Sequence, residues 1–83
     1  MNKNEGVNMY KSTNVAKRIK ALAKSKGITI GALLMNCGLG ENTLSHMHHG
    51  SMPKSENLAK IADCLDCSVD YLLGRTNNPE INH

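Results

Sequence analysis

Five polar side chains, Glu41, Asn42, Ser45, His46 and His49, recur at the three- and four-residue spacing that brings them to one face of a helix. Leu44 and Met47, three apart, fall on the opposite side. The polar set offers a carboxylate acceptor, an amide that donates and accepts, a hydroxyl and two imidazoles, which is the equipment of hydrogen-bonded recognition. Bond-breaking chemistry finds less support. No Ser/His/Asp or Cys/His arrangement is tied to a glycine-rich loop, and Gly38-x-Gly40 lacks the rest of any phosphate-cradling motif. An enzyme and a bound cofactor are therefore not expected. His46, His48 and His49 with Cys37 and the pair Cys64-x-x-Cys67 raise the question of a metal. A structural Cys-x-x-Cys site sits on a turn, whereas Cys64 and Cys67 fall where a helix calls for small buried residues, so packing is expected of all three cysteines and no metal is assigned. His48 is expected to be partly buried.

The elements that position these residues follow from the same stretch. Residues 29 to 50 read as two short helices broken at Gly38-Leu39-Gly40, the second spanning 41 to 49, the shape of a helix-turn-helix. Thr29 is placed to cap the first of the two, with Leu33, Leu34 and Cys37 inward and Gly38 at its end. Upstream, Val15, Ile19, Leu22 and Ala23 form one apolar stripe of a helix beginning near Thr13 or Asn14 and stopped at Gly27, with Ile28 packing back across it. Downstream, Ser55 is expected to cap a helix with Leu58, Ile61, Ala62 and Leu65 inward and Asp66 at its stop, and Ser68 a short one from Val69 to Leu73 ending at Gly74. The fold class is all-α: five helices over residues 13 to 76, between tails at 1 to 12 and 77 to 83. Leu39, Val69, Leu72 and Leu73 complete the expected core.

With 83 residues there is room for one domain. Seven Lys/Arg against one acid fill residues 1 to 27, while residues 28 to 83 hold three against six, an asymmetry compatible with a polyanion gripped partly by the N-terminal half. Phe and Trp are absent, which argues against stacking platforms for single strands. No apolar run approaches the roughly 18 residues of a membrane span and no secretory pattern opens the chain, so a cytoplasmic location is expected.

From Val15 to Thr76 the chain resembles the phage-repressor and Cro type of helix-turn-helix domain, the XRE family. The resemblance rests on VAKRIKALAKSKGIT, on GLGENTLSHMHHG as turn and recognition helix, and above all on LAKIADCLDCSVDYLLGRT. It implies a transcriptional regulator binding double-stranded DNA as a homodimer, formed in part only on the operator. It implies base contacts from Glu41, Asn42, Ser45 and His46. Phosphate contacts are implied for the backbone near Thr29 and Ile30, for Thr43, His49, Ser51 and Lys54, with Lys17 and Arg18 adding charge. The dimer surface is expected around Leu72, Leu73 and Arg75. Departures are also plain: Ile30 stands where the family commonly has Gln, Leu34 where it often has Ala, and Ala23 and His48 where many members pair Arg with Glu. Glu41 and the lack of Lys or Arg on the recognition helix support a rival, a protein-interaction module of antitoxin or anti-repressor type.

Overall fold

The computed structural model describes residues 10–81. Within them the chain forms α1 (Ser12–Ser25), α2 (Ile30–Cys37), α3 (Thr43–His48), α4 (Ser55–Leu65) and α5 (Val69–Leu73), with no strand among the described residues. The tail expected over residues 1 to 12 lies outside this range up to residue 9, as do the last two residues.

Helix α1 is the hub: α2, α3, α4 and α5 all pack against it. Its stripe of Val15, Ile19 and Ala23 is buried as the spacing requires, with Ala16 added and Leu22 half-buried. Together with Leu33, Leu34, Leu44, Met47, Leu58, Ile61, Leu65, Cys67 and Leu72 these residues make one continuous core. Leu39, Val69 and Leu73, expected inside, pack on its margin.

All five helices end alike. A residue in the left-handed region, Gly27, Gly38, Gly50, Asp66 or Gly74, is followed by an N–H that reaches back to the carbonyl five positions earlier: Ile28 to Ala23, Leu39 to Leu34, Ser51 to His46, Cys67 to Ala62 and Arg75 to Asp70. This closure satisfies carbonyls that the helix itself leaves unpaired. Asp66, at φ 55°, is the one described non-glycine residue with positive φ, and Asp tolerates that conformation better than most side chains.

The helix starts divide. Thr29 Oγ1 accepts from the Ala32 N–H at 3.1 Å and Ser68 Oγ from the Tyr71 N–H at 3.0 Å, as capping residues should. Two expected caps are corrected. Helix α1 begins at Ser12, before Thr13 and Asn14, with Lys11 at the cap position and no side-chain cap; α4 likewise starts at Ser55 behind Lys54. The Ser12 hydroxyl donates to the Met47 carbonyl at 2.7 Å, a buried bond across 35 residues. Midway along α1, Arg18 Nη1 donates to the Tyr71 carbonyl at 3.2 Å and the guanidinium lies 5.0 Å from the Tyr71 ring centre. Arg18 thus fastens α5 from a half-buried position, tying down one of the cations expected to add charge. Past α5, the Ser68 N–H donates to the Pro79 carbonyl at 2.9 Å, folding residues 76 to 81 back on the domain.

Replacing Ser12 with Ala removes one buried hydrogen bond and should cost about 1 kcal/mol, a fall in Tm of about 4–8 °C. A thermal melt checks this, and an unchanged Tm would show that the bond contributes nothing.

Candidate functional site

The turn between α2 and α3 sets the geometry. Gly38 takes φ 74°, which a side chain would resist, and the chain reverses so that Leu39 lies half-buried against the core. Gly40 and Glu41 carry it into α3. Thr43 closes the turn with two bonds to the Gly40 carbonyl, from its N–H at 3.1 Å and from its hydroxyl at 2.7 Å. The helix expected over 41 to 49 therefore begins at Thr43, and Glu41 and Asn42 occupy the turn that precedes it. Both are exposed, and the Asn42 side chain makes no capping bond.

Leu44 and Met47 are the inward positions of α3, and a helix of six residues has only those two. Ser45, His46 and His49 are exposed, as their spacing requires. His48 is exposed too, which corrects the partly buried role expected of it: one residue beyond Met47 it lies off the inward stripe, and the chain turns away at Gly50. At the end of the helix the His49 N–H turns to the His46 carbonyl at 3.1 Å, while Nδ1 of the His49 ring lies 2.8 Å from the Ser45 carbonyl.

The remaining candidates fall on two helix starts, of which that of α4 adjoins this face. Thr29 is exposed, its hydroxyl oxygen held as the α2 cap, and the N–H groups of Ile30 and Gly31 precede the first intrahelical bond of α2. The Ile30 side chain packs against the core, leaving its backbone as the part able to meet an anion. Lys54 caps α4 without a side-chain bond, so the first N–H groups of that helix are likewise open. One cleft brings together Thr43, His46, Ser51, Lys54 and Asn57. Asn57 was missed from sequence; its signal was position, three residues after Lys54 in the first turn of α4. The stretch from Glu41 to Lys54 thus displays one carboxylate, one lysine and three imidazoles, all exposed.

The cysteines stand apart from this face. Cys37 and Cys67 are buried and Cys64 half-buried. Burial, then a hydrogen bond with Cys64, pushes the Cys37 thiol up to about 12, and burial raises that of Cys67. Cys37 Sγ lies 3.6 Å from the Lys60 carbonyl, at the α2–α4 contact. Among the described residues no three His, Cys, Asp or Glu side chains gather as a metal set, and no helix is long and apolar enough to cross a membrane.

A model of the winged helix-turn-helix DNA-binding family matches residues 15–73, from the first turn of α1 to the end of α5. With no strand among the described residues, the wing that this description names has no counterpart in them. No curated protein and no solved structure gives a significant match.

Because burial holds the proton on Cys37 up to about 12, above the ordinary value of 9.0, the stability this contributes is complete below pH 9 and is lost as pH climbs towards 12; burial of Cys67 acts in the same direction. At pH 8 an alkylating reagent should modify Cys64 first and reach Cys37 and Cys67 only on unfolding. Peptide mapping reads this directly. Equal labelling of all three in the native protein would contradict the packing role.

Proposed function

The chain belongs to the winged helix-turn-helix DNA-binding family, and from that premise we propose a sequence-specific, repressor-like transcriptional regulator of the phage-repressor and Cro (XRE) type, acting in the cytoplasm on double-stranded DNA. The observation that carries this is α3: a helix whose buried side chains are Leu44 and Met47, with every other side chain but the half-buried Thr43 turned outward. Such a helix fits the major groove of B-DNA, about 12 Å wide, with its N-terminal end against the bases. Asn42 then pairs an adenine through two hydrogen bonds, Glu41 accepts from a cytosine amino group, and Ser45 and His46 read neighbouring edges. The open N–H groups behind Thr29 and those behind Lys54 take phosphates on either side of the groove, with Thr43, Ser51 and the Lys54 ammonium beside them.

Reading more than a few base pairs calls for two copies on a two-fold operator. Leu72 is completely buried and cannot join the dimer surface expected of it, so the contact falls to half-buried Leu73 and to exposed Arg75, which pairs with Asp70 at 3.3 Å. So small a surface favours assembly on DNA.

A second reading, a protein-interaction module, draws on Glu41, on the lack of Lys or Arg on α3, and on Met35, 79% exposed on an α2 that carries no charge. Salt separates the two. DNA binding through phosphates weakens steeply with salt, and Lys54→Ala should lower the slope by about 0.9 while weakening all sequences alike. Asn42→Ala should relax choice at one base pair at a cost of about 1–3 kcal/mol. Titration of duplexes selected from a random pool checks both; a Lys54→Ala loss confined to one sequence would contradict the phosphate role. Sedimentation should give two chains per palindromic duplex, and a strict one-to-one complex would rule out the dimer.

A further inference from the structure

The bond between the His49 ring and the Ser45 carbonyl decides more than the position of the ring. A carbonyl oxygen only accepts, so at 2.8 Å Nδ1 must be the donor and carry the proton. Nε2 of the neutral ring is then a lone pair. The bond is available because the His49 backbone N–H turns to His46, leaving the Ser45 carbonyl to the ring.

We propose that His49 is a proton-conditional phosphate contact: it grips the DNA backbone only after Nε2 takes up a proton, which makes duplex affinity rise as pH falls. The proposal rests on the DNA-binding reading and gives that site a regulator. Phosphate oxygens are acceptors, so neutral His49 would set lone pair against lone pair, while the imidazolium donates from Nε2 and keeps its Nδ1 bond to Ser45. Imidazole is the side chain whose charge changes between pH 5 and 8.

Among the described residues, those that line the clefts at this end of α3 include cations and no carboxylate. The two clefts that reach Gly50 and Ser51 are flanked by Tyr10 and Lys11 from the start of α1, and by Lys54 and Asn57 from the start of α4. His46 lines the second cleft, and His48 is exposed on the same helix. Neither cleft has a carboxylate among its lining residues, and Glu41 lies in the turn at the far end of α3. The negative field comes from the duplex itself. The complex therefore binds more protons than the separated partners, and by linkage lower pH tightens it. Salt blunts the effect because the coupling is electrostatic.

Two measurements test this. Nitrogen-detected imidazole NMR of the free chain at pH 8 should show His49 as the Nδ1–H tautomer; the Nε2–H form would overturn the proposal. Titration of a duplex selected from a random pool should give binding about 3- to 10-fold tighter at pH 6 than at pH 8. His49→Lys, a permanent cation, and His49→Gln, an uncharged donor, should both remove that dependence, while His48→Gln should keep it. A flat parent profile, or a dependence that survives in His49→Gln, overturns the proposal and leaves DNA binding standing. Failure to bind any duplex at either pH overturns the DNA-binding reading, and this one with it.

Discussion

A six-residue helix has no stability of its own, since isolated helices shorter than about 12–15 residues are marginal in water. Helix α3 therefore exists only because Leu44 and Met47 are buried and because Ser12 reaches across to the Met47 carbonyl. Everything the site can do depends on that anchorage. Two apolar side chains and one backbone carbonyl fix the helix, and the consequence is that all remaining positions except Thr43 are free to face a partner. The same economy explains why α1 is the hub: it contributes Val15, Ala16 and Ile19 to the core, Ser12 to α3 and Arg18 to α5.

Much of this was legible in the sequence because it is local. Thr29 and Ser68 cap their helices, the glycines and Asp66 end them, and the apolar stripes of α1, α2 and α4 are buried at the spacing their residues show. These features depend on residues within a turn or two. What escaped depends on partners far along the chain. Ser12 looked like part of a tail because Met47, its partner, is 35 residues away. Arg18 looked like one more cation on a basic helix, yet its guanidinium is committed to Tyr71, 53 residues on. Leu72 belonged to both an expected core and an expected dimer surface, and the packing of α5 against α1 and α4 resolves this in favour of the core.

The site was legible as a set of residues and less so as a shape. Spacing alone puts Glu41 on the recognition helix, but the hydroxyl of Thr43 closes a turn onto Gly40 and moves Glu41 and Asn42 ahead of it. Spacing also cannot tell that the Ile30 side chain packs inward while its N–H stays at an open helix start. Nor can composition assign the tautomer of His49, which follows from the bond of its Nδ1 to a carbonyl, an acceptor only, at the end of α3.

DNA recognition of this kind requires α3 and the starts of α2 and α4 to form one DNA-facing surface. Backbone amide NMR during titration with a duplex selected from a random pool tests it most directly. The largest shifts should fall on residues 29 to 31, 41 to 49 and 51 to 56, with the face of α5 little changed. Shifts centred on α5 or on the exposed face around Met35, with 41 to 49 unmoved, would contradict it.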